Sequence, residues 1–121
     1  MSGRRAMGEL ESEVLTILWA ADNALTPAEV LDALGGDVAY TTAMTILSRL
    51  WQKGLAEREP RGRAYAYRPK ISEAELAAQR MQATLARTHD REAALARFVG
   101  TLSKKDERAL RRLLEQIGTR Q

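Results

Sequence analysis

Residues 39–54 of this chain read AYTTAMTILSRLWQKG. On a wheel turning about 100° per residue, Thr41, Thr42, Thr45, Ser48, Arg49, Gln52 and Lys53 share an arc of roughly 140°. Met44, Leu47, Leu50 and Trp51 fall on the opposite side. The period is that of an amphipathic helix, but its polar face carries no carboxylate. A solvated helix ordinarily mixes Glu with Lys for support between successive turns. This one offers hydroxyls, an amide and two cations, the groups that meet base edges and phosphates in a DNA major groove.

The next residues extend that reading. Gly54 stands where a helix ends on a left-handed residue, and LAEREPRGRAYAYRP follows at once. Residues 55–59 and 64–68 read as two short strands, the second alternating Tyr65 and Tyr67 with Ala and Arg. Residues 60–63 form a turn by composition. A helix followed directly by an arginine-tipped hairpin outlines a winged helix-turn-helix. The helix is then expected in the major groove, with Arg61 and Arg63 of the wing along the phosphate backbone.

Charge is concentrated in the same stretch. From Tyr40 to Lys70 there are seven basic residues (Arg49, Lys53, Arg58, Arg61, Arg63, Arg68, Lys70) and two acids (Glu57, Glu59), a net +5 where the whole chain carries +3. A localised basic patch is the footprint of a surface that binds a polyanion. A membrane surface attracts the same charge, but no stretch approaches the length of a spanning helix, and no exposed Trp and Phe stripe accompanies the basic face. Nucleic acid is the expected partner.

The rest of the first half supplies the remaining helices. Leu10, Val14, Ile17, Leu18 and Ala21 recur at helical spacing and predict a helix from about Gly8 to Ala21. In Thr26-Pro27-Ala28-Glu29, Thr26 is an N-cap, Pro27 takes the first helical position and Glu29 completes a capping box. The second helix carries Val30, Leu31 and Leu34 and stops at Gly35-Gly36. The third is capped by Thr41 or Thr42, and Leu25 is a candidate third strand beside the wing. Arg4 and Arg5 could form a minor-groove arm or a disordered tail.

After Pro69 the pattern changes. Ser72-Glu73-Ala74-Glu75 is a second capping box, opening an Ala-rich helix to about Thr88 with Ala74, Ala78, Met81 and Leu85 along one seam. Asp90 caps a fifth helix bearing Leu95, Phe98, Val99 and Leu102. Ser103 with Asp106 caps a sixth, in which Leu110, Leu113, Leu114 and Ile117 recur at i, i+3, i+4 and i+7, ending at Gly118. Three short helices, each apolar on one face, cannot close a substantial core alone. Either they wrap back on the winged helix or they pair with a second copy. Pairing is favoured, because a reader with one recognition helix gains by presenting two. The expected plan is mainly α: a winged-helix DNA-binding domain over residues 1–70 and a helical dimerisation domain over 71–121. Met81, Leu85, Leu95, Phe98, Leu110, Leu113, Leu114 and Ile117 are then expected to line the shared core.

Other chemistries find little support. The 121 residues include no cysteine and one histidine, so no thiolate site exists and His89 with Asp90 offers too few ligands for a metal. Glu9, Glu11 and Glu13 read as a solvated acidic face. No phosphate loop and no nucleophile beside a base occurs, so neither catalysis nor a cofactor is expected. The start of the chain, MSGRRAMG, has no apolar signal-peptide core, which makes the cytoplasm the expected compartment. The competing reading is a winged-helix adaptor that binds a protein partner; its binding would be indifferent to nucleotide sequence and would tolerate moderate salt.

Several of these segments together resemble one family. Gly8-Glu9-Leu10-Glu11 with Val14 and Leu18-Trp19, Tyr40-Thr41-Thr42 with Thr45 and Leu50, and Lys53-Gly54-Leu55 with the Tyr65/Tyr67 strand resemble the penicillinase-repressor (BlaI/MecI type) transcriptional regulators over nearly the whole chain. The resemblance implies a dimeric repressor that binds inverted repeats in promoters of β-lactamase or related cell-wall and stress genes. In antibiotic-responsive relatives a sensor-triggered protease cuts an Asn-Phe bond; the matching residue here is Phe98, preceded by Arg97. A regulatory protease acting near Phe98 is the partner that this implies. Copper-responsive relatives carry C-terminal cysteine pairs, which this chain lacks.

Overall fold

The computed structural model describes residues 6–120, so Arg4 and Arg5 lie outside the described residues. Six helices and one hairpin follow in the order α1 (Met7–Ala20), α2 (Pro27–Leu34), α3 (Tyr40–Gln52), β1 (Ala56–Arg61), β2 (Ala64–Pro69), α4 (Glu73–Ala86), α5 (Arg91–Gly100) and α6 (Lys104–Arg120). They fall into two compact units, the first running to Ala77 and the second starting at Ala78. The first three helices and the hairpin make a winged helix.

Local signals set most element boundaries. Thr26 Oγ1 accepts the Glu29 N–H, and the Glu29 carboxylate accepts the Thr26 N–H at 2.9 Å, with Pro27 in the first turn. Ser72 and Glu75 repeat the reciprocal pair at 3.0 and 2.9 Å. Asp90 caps α5 through the Ala93 N–H, and Ser103 caps α6 through the Asp106 N–H. Three boundaries differ from the sequence reading. The N-cap of α3 is Ala39, which has no capping side chain, so Thr41 and Thr42 stand inside the first turn with their hydroxyls free of that duty. Gly118 does not end α6, which continues to Arg120; exposed glycine weakens a helix without forbidding it. The hairpin turn is only Gly62-Arg63, since Arg61 pairs with Ala64 and Pro60 with Tyr65. Gly62 has φ 61° and Arg63 stays at negative φ, the pattern of a two-residue type II′ turn. Pro60 is tolerated because β1 is the outer strand, where a missing N–H breaks no further pairing.

The core of the first unit forms where α1, α2 and α3 meet the hairpin. Val14, Leu15, Leu18, Val30, Ile46, Leu47 and Leu50 are fully buried, with Ala56, Tyr67 and Leu76 packed around them. Leu25 exchanges both backbone hydrogen bonds with Tyr67, at 2.8 and 2.7 Å. It is thus the third strand reduced to one bridge, and it leaves β2 in the centre. Trp19 donates from Nε1 to the Ile71 carbonyl at 2.9 Å, which fixes the start of the segment leading into α4.

The buried face of α3 consists of Ala43, Ile46, Leu47 and Leu50. Met44 and Trp51, expected on that face, are instead exposed by 46% and 40%. Alanine is small enough to let α3 approach its neighbours, so the face centres on Ala43 and Ile46, and the larger Met44 and Trp51 are turned to its flank. In the second unit, α5 has no buried residue.

Both capping carboxylates titrate below the usual carboxylate range. For Glu29 the main cause is the hydrogen bond from the Thr26 backbone, followed by the Thr26 hydroxyl and the Arg61 charge; for Glu75 it is the Ser72 backbone, then its hydroxyl. A folded-state value below the unfolded one contributes stability at neutral pH that is lost as pH falls through the folded value. Thr26→Ala should cost about 1 kcal/mol in denaturant unfolding at neutral pH. The Glu29→Gln, Glu75→Gln double variant should lose less melting temperature than wild type between neutral pH and about pH 3. An equal loss in both would remove these caps from the acid response.

Candidate nucleic-acid interface

The way α3 ends sets the geometry of this face. The Gly54 N–H donates to the Trp51 carbonyl at 3.1 Å and the Leu55 N–H to the Leu50 carbonyl at 2.9 Å. With Gly54 at φ 79° this is a Schellman motif, which reverses the chain within two residues. Leu55 then packs on the core and its carbonyl accepts the Lys70 N–H at 2.9 Å, so β1 starts directly beneath the last turn of the helix. Helix and wing are thereby rigidly sequenced, and both present side chains to solvent.

Thr41, Thr45, Arg49, Gln52 and Lys53 are exposed, while Thr42 and Ser48 are half-buried at the edges of the face. Thr45 donates its hydroxyl proton to the Thr41 carbonyl at 2.9 Å, leaving its oxygen lone pairs as acceptors toward a ligand. Arg49 and Gln52 make no side-chain hydrogen bond or ion pair among the described residues. No acidic residue stands on α3.

The cations divide into held and free. Lys53 Nζ lies 2.8 Å from Glu11 Oε1, and that glutamate is only 14% exposed. Glu11 therefore anchors α1 to the end of α3 and is not part of a solvated acidic face, whereas Glu9 is exposed and accepts the Ala6 N–H at 2.9 Å. Arg61, expected to point from the wing tip, turns back instead. Its Nη1 donates to the Ala24 carbonyl at 3.0 Å and lies 3.8 Å from Glu29, with Glu59 at 4.0 Å from Nη2. Arg68 is paired with Glu59. Arg63, past Gly62 in the turn, is exposed and has no such partner among the described residues. Arg49 and Arg63 are thus free cations on the helix and on the wing.

One contact that sequence reasoning misses joins the two elements. The Arg58 guanidinium lies 3.6 Å from the Trp51 ring centroid and 4.0 Å from that of Tyr65. Arg58 Nη1 also reaches the Tyr67 hydroxyl at 3.5 Å. The hairpin register carried the signal: Arg58 pairs with Tyr67 and Pro60 with Tyr65, which sets Arg58 and Tyr65 diagonally on one face.

The dimerisation candidates of the second unit are solvent-facing. Met81, Leu95, Phe98, Leu113, Leu114 and Ile117 are all exposed, and Leu85 and Leu110 are half-buried. Between α4 and α5 runs an apolar groove of about 440 Å³ whose walls include Met81, Leu85, Leu95 and Phe98. Among the described residues no cluster of three or more metal-ligating side chains occurs, and no helix is long and apolar enough to cross a membrane.

Comparison with known proteins agrees with this architecture. A family model described as penicillinase repressor matches residues 7–116. A transcriptional regulator, BlaI of Mycobacterium tuberculosis, is 38% identical over 116 residues, covering 92% of this chain and 84% of the relative. The solution structure of the DNA-binding domain of the repressor BlaI superposes with a TM-score of 0.50 at 27% identity, over 62% of this chain and 93% of that one. The chain belongs to the penicillinase-repressor family, whose members are transcriptional regulators and not enzymes.

Proposed function

We propose that this repressor reads operator DNA with the exposed face of α3 and the hairpin, and that it does so as a homodimer on an inverted repeat. The observation that carries the DNA-facing assignment is the carboxylate-free face of α3, with Arg49 on it and Arg63 on the adjoining wing both unpaired among the described residues. Thr42, Thr45 and Arg49 address base edges or the phosphates beside them, with Thr41, Ser48 and Gln52 completing the face. Arg63 serves the backbone; Lys53 and Arg61 would do so only after leaving Glu11 and the Ala24 carbonyl.

Two winged units come from pairing the helices of residues 71–121. Support lies in the apolar row Leu110, Leu113, Leu114 and Ile117 along α6 and in the groove between α4 and α5. Each is a surface that a soluble monomer would leave wet, and an exposed apolar patch of that kind marks an interaction site. Symmetry then places half-sites roughly one helical turn, about 10 bp, apart. The promoters expected are those of β-lactamase, cell-wall or stress genes. A protease acting near Phe98, which is exposed on α5, would release the operator by separating the two readers.

Arg49→Ala should cost about 1–3 kcal/mol on operator duplex and less on random duplex if it makes a bidentate base contact. Anisotropy titrations on both duplexes decide this, since an equal loss on the two would limit Arg49 to phosphate. Leu113→Asp in the full chain should shift sedimentation from dimer to monomer at micromolar concentration, by setting an unpaired charge in the interface. A wild-type chain that sediments as a monomer would overturn the dimer.

A further inference from the structure

Of the cations near α3, Arg58 is the one whose charge is balanced by rings alone. Among the described residues no carboxylate pairs with it. Its guanidinium is held 3.6 Å from the Trp51 centroid and 4.0 Å from the Tyr65 centroid. With rings over the flat guanidinium, its N–H donors act in plane, along the edge. Nη1 spends one of them on the Tyr67 hydroxyl at 3.5 Å, the outer limit of a hydrogen bond. An edge of fixed N–H donors matches the oxygens of a phosphodiester.

Its place relative to α3 points the same way. Trp51 is one residue before Gln52 and so stands about 100° around the helix from it, whereas Arg49 stands about 60° away on the other side. The exposed face centred on Thr45 and Gln52 is therefore bordered by Arg49 on one flank and by the stacked Arg58 on the other. A helix lying in a major groove has a phosphate strand along each flank.

We infer that Trp51, Arg58 and Tyr65 form a stacked phosphate clamp at the junction of α3 and the wing, in which the two rings fix the guanidinium plane and its edge binds a DNA phosphodiester. The rings are positioning residues; Arg58 makes the contact. This rests on the DNA-binding reading of α3 and adds a contact on its second flank. The stack also couples recognition helix to wing, because Trp51 belongs to the last turn of α3, Arg58 to β1 and Tyr65 to β2.

The test uses full-length wild type, Arg58→Gln, Arg58→Lys and Trp51→Leu, titrated onto a labelled mixed-sequence duplex over a salt series, with thermal melts to confirm folding. Loss of one phosphate contact in Arg58→Gln should flatten the slope of log affinity against log salt by about 0.9 and weaken binding roughly eightfold near 0.1 M salt. Arg58→Lys and Trp51→Leu should keep the wild-type slope, since the charge remains, and lose affinity because the cation is no longer held in plane. A wild-type slope in folded Arg58→Gln would overturn the contact, and wild-type affinity in Arg58→Lys or Trp51→Leu would overturn the role of the stack. Failure of the wild-type chain to bind the duplex at all would instead overturn the DNA-binding reading.

Discussion

The hydrogen bonds from Gly54 to the Trp51 carbonyl and from Leu55 to the Leu50 carbonyl determine where the wing begins. They require a left-handed residue at Gly54, which holds φ 79°, a conformation that a side chain resists. Because the reversal takes only two residues, Leu55 can return to the core and β1 can run beneath the helix end. Trp51 is thereby brought over Arg58, and Lys53 is left at the corner where Glu11 of α1 receives it. A longer or looser connection would hold the same strands but would not fix their side chains against the helix.

Around that corner the protein controls which positive charges remain available. Lys53, Arg61 and Arg68 are each occupied by a carboxylate, and Arg61 also by the Ala24 carbonyl. Surface pairs of this kind contribute little stability individually. Their larger consequence is electrostatic: among the described residues of this segment they leave unpaired cationic charge on Arg49, Arg63 and Lys70 and on the ring-held Arg58. The net charge of the segment therefore overstates how many of its cations meet a polyanion without first exchanging a partner.

Features carried by neighbouring residues were legible in the sequence. Thr26 with Glu29, Ser72 with Glu75, Asp90 and Ser103 cap the helices they precede, and Gly54 ends α3, because each device is completed within three or four residues. Leu25 beside β2 was legible as a strand candidate, and it proves to be one bridge to Tyr67. What escaped depends on tertiary approach. Glu11 meets Lys53 across 42 positions and Arg61 meets Ala24 across 37, and no local pattern encodes either. Met44 and Trp51 lie on the flank because hydrophobic size does not decide burial on α3, where Ala43 and Ile46 set the packed face. The Trp51, Arg58 and Tyr65 stack required the hairpin register, which shifts once the turn is Gly62-Arg63 alone.

In the proposed reading the exposed side of α3 and the hairpin together form the DNA-binding surface. It is tested most directly by titrating the isotope-labelled full chain with duplex DNA and following backbone amide shifts by NMR. The largest shifts should fall on the exposed positions of α3, from Thr41 to Lys53, and on the hairpin around Arg58, Arg63 and Tyr65. Large shifts confined to the groove between α4 and α5 or to the apolar row of α6, with α3 and the hairpin unmoved, would contradict it.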